Sequence, residues 1–162
     1  IIMNIALSIN QINSQNIGLL DSKTNIVMEH GKFTKINFLE ESFTMNGLYI
    51  IFPIPNYSIE SLHNRKNMKF HYNVSQNIGY AKELMLLECR LLDFYISNKQ
   101  KDFRKNLLLK KQIESGFMKI YKEHSTIVDT PSIHILKISG IWESNGEIGI
   151  TYKLFESNSI FS

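Results

Sequence analysis

The chain of 162 residues contains a single cysteine, Cys89, which leaves no partner for an internal disulfide and no cysteine set for zinc. It has no stretch of 18 apolar residues, so a membrane-spanning helix is not expected. Residues 1–12 hold neither a basic leader nor a small-residue cleavage site, and the expectation is an intracellular protein of the cytoplasm or nucleus of a host cell, not a secreted one. The eight glycines never fall into GxGxxG or P-loop spacing, which argues against a nucleotide enzyme. Histidines at 30, 63, 71, 124 and 134 show no HExxH or paired metal spacing, and the acids form no recognisable metal set. Cys89 has no basic partner placed to make it a nucleophile. Together these absences predict no enzyme, no cofactor, no metal and no small-molecule substrate. Alanine (2) and valine (3) are almost missing beside isoleucine (24), asparagine (16) and lysine (15), a bias of AT-rich codons that carries no mechanism.

What is present is a globular composition, 43% hydrophobic and 11% aromatic, at a length that suits one domain over residues 1–162. The formal charge is only +3, but it is segregated. Residues 1–64 carry 3 basic and 5 acidic groups, net −2, and residues 123–162 carry 2 and 5, net −3. Residues 65–122 carry 13 and 5, net +8. A concentrated positive field attracts polyanions where a scattered one does not.

Periodicity divides the chain into four regions. Strands are expected over about 17–54: residues 33–39 (FTKINFL) and 48–54 (LYIIFPI) are rich in β-branched and aromatic types, Asn46-Gly47 marks a turn, and residues 26–28 form a further short run. Residues 56–77 are polar without a sustained period and are expected to form a loop. Helices are expected over about 78–122. In the first, Ile78, Ala81, Met85, Cys89, Leu92 and Ile96 form an apolar stripe widened by Leu84, Leu91 and Tyr95; a second runs from about 102 to 115. After the break at Asp129-Thr130-Pro131-Ser132, residues 133–155 are expected to form a hairpin turning at Asn145-Gly146.

This order predicts an α+β fold, either an antiparallel sheet or an OB-like five-stranded barrel with a long helical insertion between strands 3 and 4. Residues 135–155 (ILKISGIWESNGEIGITYKLF), with Gly-Ile-Trp before the turn and Gly-Ile-Thr-Tyr-Lys after it, resemble the closing hairpin of viral and linear-plasmid-type single-stranded-DNA-binding proteins. Residues 43–52 (FTMNGLYIIF) are compatible with the same picture. The resemblance implies an OB-fold protein that coats single strands during replication or recombination.

The sharpest constellation is Lys99, Lys101, Arg104, Lys105, Lys110 and Lys111, with Asp102 as the only acid among them. Lys101, Arg104, Lys105 and Lys111 can share one broad helical face, which suits a phosphate backbone. The same residues would also serve as the wet side of a helix packed on a core. Aromatics interleave with cations: Phe70 and Tyr72 near Lys69, and Trp142 and Tyr152 with Lys153. Single-strand binders need flat rings for bases and cations for phosphates. The expected nucleic-acid-binding set is therefore Lys69, Lys99, Lys101, Arg104, Lys105, Lys110 and Lys111 with Trp142, Tyr152 and Lys153. The expected partner is single-stranded nucleic acid, bound with weak sequence preference. The alternative is a viral structural or assembly protein that self-associates through the 78–122 helical region.

Overall fold

The computed structural model describes residues 6–25, 27, 31–122 and 133–157. Strands β1 (Ile17–Leu19), β2 (Lys23–Asn25), β3 (Gly31–Leu39), β4 (Thr44–Met45) and β5 (Leu48–Ile51) fall within the expected strand region, β3 and β5 on its β-branched and aromatic runs and β2 on the polar residues 21–25, which read as a turn. A hairpin follows, β6 (Ser58–Leu62) and β7 (Arg65–Lys69), then helix α1 (Ile78–Lys99), β8 (Arg104–Lys105), helix α2 (Leu108–Ser115) and β9 (Phe117–Lys122). The closing pair is β10 (Ile133–Ser144) and β11 (Glu147–Ser157). The expected run at 26–28 and the break at 129–132 fall outside the described residues, apart from Val27.

All the strands join one sheet in the order β1-β3-β10-β11-β9-β7-β6, with β2 and β4 on β3, β5 on β10 and β8 on β11. Pairing is antiparallel except where β8 and β9 run parallel to β11. Among the described residues the chain is α+β with an open, mostly antiparallel sheet of 11 strands, so the five-stranded barrel is corrected: β1 and β6 lie at opposite ends of the order and do not pair. One cause is visible in β10. Its register shifts between Ile138 and Gly140, and this bulge lets a single edge serve two partners, β5 at residues 135–138 and β3 at 140–143. The β10–β11 hairpin turns at Asn145 and Gly146 with φ of 49° and 75°, the two positive values that a tight two-residue turn requires.

Two other expectations are corrected. The polar segment 56–77 contains the β6–β7 hairpin, turning at His63 with φ of 54°; all five residues of β6 are exposed, so no apolar alternation announces it. The second helix begins only at Leu108, because Gln100 takes a left-handed conformation that stops α1 and the chain then runs along β11. There Arg104 N–H donates to Gly146 O at 2.9 Å and Asn106 N–H to Ile148 O at 2.8 Å.

One face of the sheet is covered. Ile36, Leu48, Met68, Leu136, Ile138 and Ile148 are among its fully buried side chains. They belong to one core with Ala81, Leu84, Leu91, Leu92 and Tyr95 of α1 and Leu109 and Ile113 of α2. Of the expected α1 stripe, Ala81 and Leu92 are buried while Ile78, Met85, Cys89 and Ile96 are half-buried at its flank. The buried line runs through Leu84, Leu87, Glu88, Leu91 and Tyr95 instead. Among the described residues no helix is long and apolar enough to cross a membrane.

Candidate nucleic-acid interface

Successive residues of a strand point to opposite faces of a sheet. With one face buried under the helices, the alternate positions form the other. On β5, β10 and β11 the direct neighbours there are Tyr49, Lys137 and Lys153. On β9, whose Ile120 pairs with Leu154, the adjoining residue on this face is Lys119. Like charges placed opposite one another across strands are unfavourable, yet Lys137 and Lys153 are cross-strand partners. Aromatic rings take up part of that cost. Lys137 Nζ lies 5.4 Å from the Tyr49 ring centre, and Lys119 and Lys153 share Tyr121 at 4.6 and 4.9 Å. Such contacts are worth about 0.5–1 kcal/mol at exposed sites. Among the described residues, none of these three lysines enters an ion pair.

Two further rings lie on the same face because glycine lets them. A Cβ on Gly149 would stand 2.5 Å from Trp142 Cζ2, and one on Gly140 would stand 2.6 Å from Phe33 Cζ. Trp142 pairs directly with Gly149 on one side and Phe33 on the other. Both rings are half-buried, each lying against the main chain at its glycine.

Between β8, whose ladder on β11 ends at Ile148, and β9, whose ladder begins at Leu154, the edge of β11 has no strand neighbour among the described residues. Helix α2 crosses this gap. The result is a groove of about 640 Å³ lined by Lys111 and Gln112 of α2, Lys119 and Tyr121 of β9, Trp142 of β10, and Tyr152 and Lys153 of β11, with no carboxylate among its described lining. Tyr152 is half-buried, and its hydroxyl donates to Gln112 Oε1. Burial, and then the charge of Glu88, push that hydroxyl well above the usual tyrosine range, so it stays a donor.

Glu88 fixes the helix that carries Lys111 and Gln112. Its buried carboxylate accepts from Leu109 N–H at 2.8 Å and Lys110 N–H at 2.9 Å, satisfying two donors of the first turn of α2 from another helix. Burial raises its pKa above the ordinary carboxylate value, while the two N–H groups and the charges of Lys111 and Lys110 pull the other way.

The expected site residues divide into three groups. Lys111, Trp142, Tyr152 and Lys153 meet in the groove. Lys69 lies elsewhere, 3.0 Å from Glu60 across the β6–β7 hairpin. The remaining cations do not form the expected helical face, since the chain between Lys99 and Leu108 is not helical. Arg104 pairs with Glu147 at 3.0 Å, Lys105 with Asp93, and Lys110 with Glu114 at 4.0 Å. Lys99 donates to Ser22 Oγ at 3.1 Å, and Lys101 sits 5.3 Å from the Phe103 ring centre. Sequence reasoning missed Lys119, Tyr121, Lys137 and Tyr49. A signal for the first two exists: in β9 Phe117, Lys119 and Tyr121 alternate with Met118 and Ile120, a period of two inside a region read as helical. Among the described residues no three His, Cys, Asp or Glu side chains are grouped to hold a metal ion.

Compared with known proteins, the chain matches no family model, no curated protein and no solved structure.

Proposed function

We propose that this chain binds single-stranded nucleic acid with weak sequence preference, single-stranded DNA being the form to test first, as an accessory of replication or recombination. The observation that carries the reading is the groove of about 640 Å³ that Lys111, Lys119 and Lys153 line together with Trp142, Tyr121 and Tyr152, with no carboxylate among its described lining. Rings stack on any base and ammonium groups meet phosphates whatever the sequence, which is the basis for weak preference. The competing reading, an assembly subunit joined through the 78–122 region, needs an apolar helix stripe left for a partner. Helix α1 turns most of its apolar side chains onto its own core, burying Leu84, Leu87, Leu91, Leu92 and Tyr95 and leaving Ile78, Met85, Cys89 and Ile96 half-buried, and this favours the nucleic-acid reading.

The test uses the single tryptophan, Trp142, as its own reporter. Oligo-dT should quench its emission, and log affinity should fall linearly with log salt. For three lysine contacts the slope is about −2, at about −0.7 per contact on single strands. Replacing Lys119 and Lys153 by Ala should make that slope shallower by about 1.4. Absence of binding at low salt, where screening is least, would refute the reading.

A further inference from the structure

The groove does not end the exposed aromatic and basic surface. Along β9 the outward residues are Phe117, Lys119 and Tyr121, and Phe117 is 42% exposed. Two-residue steps of a strand are about 6.6 Å, so the Cα atoms of Phe117 and Tyr121 stand about 13 Å apart with that of Lys119 midway. Phe117 is also the cross-strand partner of Lys69 on β7. These two residues line a second groove of about 520 Å³, together with His71, Asn56, Ser58 and Ser115, and again no carboxylate is among its described lining. Its wall is rigidly built. Asn77, fully buried, accepts from Asn56 N–H at 3.0 Å and donates to the carbonyls of Asn56 and His71 at 2.8 and 2.9 Å. Gly116, with φ of 70°, brings the chain so close to Phe70 O that a Cβ would stand 2.2 Å from it.

We infer that this second groove is a separate subsite for a nucleotide further along the same single strand, with Phe117 as its stacking ring and Lys69 as its phosphate contact. The inference rests on the function proposed above and adds a path to it. The strand follows β9, with a base on Tyr121 at one end, a phosphate on Lys119, and a further base on Phe117 at the other. Lys69 exchanges Glu60, an exposed partner whose hold is weak, for the phosphate. Lys69 and Lys119 thereby belong to one track although they lie on different strands.

The length of the oligonucleotide separates this subsite from the first groove. Oligo-dT of about 2 nucleotides fills the first groove alone, because one internucleotide step falls short of the spacing from Tyr121 to Phe117, and about 12 nucleotides reach both, within the span of single-strand sites. Phe117→Leu keeps an apolar side chain but removes the π-face, and Phe117→Tyr restores it. The long oligonucleotide should lose roughly 5- to 150-fold in affinity for Phe117→Leu, the value of one stacked base. The short one should bind as to the wild type, and Phe117→Tyr should recover the long one. Equal affinity of Phe117→Leu and wild type for the long oligonucleotide overturns the subsite while Trp142 quenching keeps the first reading intact. Equal losses for short and long overturn it too, because Phe117 then acts through the first groove or the fold. If the wild type binds neither length, the proposed function fails and the subsite fails with it.

Discussion

Tyr95 is fully buried, yet its hydroxyl is the centre of a polar chain that ties α1 to the sheet. It donates to Glu143 at 2.7 Å, while Ser22 and Thr34 hydroxyls lie 2.6 Å apart beside it and Lys99 Nζ donates to Ser22. Burial first, and then the Glu143 carboxylate, push its pKa up to about 12 from the ordinary 10.0. The folded protein therefore holds a proton that the unfolded chain releases between those values. The stability this contributes is complete below pH 10 and is lost as pH rises through about 12. Replacing Tyr95 by Phe should remove that part of the alkaline decline. Denaturant midpoints of both proteins on either side of pH 10 check it: the gap between them narrows with rising pH.

Among the elements, α1 shows how periodicity can find a helix and misplace its buried line. Apolar spacing located Ile78–Lys99, but a face is also set by what it must hold, and Glu88 has to reach the start of α2. A charged residue turned inward rotates the buried line toward Leu84, Leu87 and Leu91. Leu92, with no exposure, should cost about 2–5 kcal/mol when cut to Ala, through lost transfer energy and a residual cavity. Leu86, 58% exposed on the same helix, should cost within about 0.5 kcal/mol. Urea unfolding of the two variants measures the difference, and similar values would show that the helix lies otherwise. The β10–β11 hairpin was legible for the opposite reason: Asn145-Gly146 determines its turn locally, without help from the rest of the chain. The β6–β7 hairpin was not, since β6 is exposed throughout and needs β9 to hold β7 in the sheet.

Across the whole molecule, the charge segregated in residues 65–122 is split by folding. Arg104 and Lys105 are brought to Glu147 and Asp93, Lys110 pairs with Glu114 within α2, and none of the three is in the described lining of either groove, so a strand held there does not meet them. Lys119 and Lys153 are brought to Tyr121, which neutralises nothing. Changing Lys105 and Lys110 together to Ala should leave the salt slope of oligo-dT binding unchanged. A fall of about one to one and a half units would instead return the phosphate role to that segment. The amino-acid sequence by itself determined the α+β class, the strand regions before and after a helical middle, the closing turn, and the net basic charge of that middle, because each depends on neighbours within a few residues. Tertiary structure alone decided that the sheet stays open and that β8 and β9 run parallel to β11. It also decided which cations gather in the groove, because Lys111, Lys119 and Lys153 meet only when β9, α2 and β11 pack together, and no local pattern records that approach.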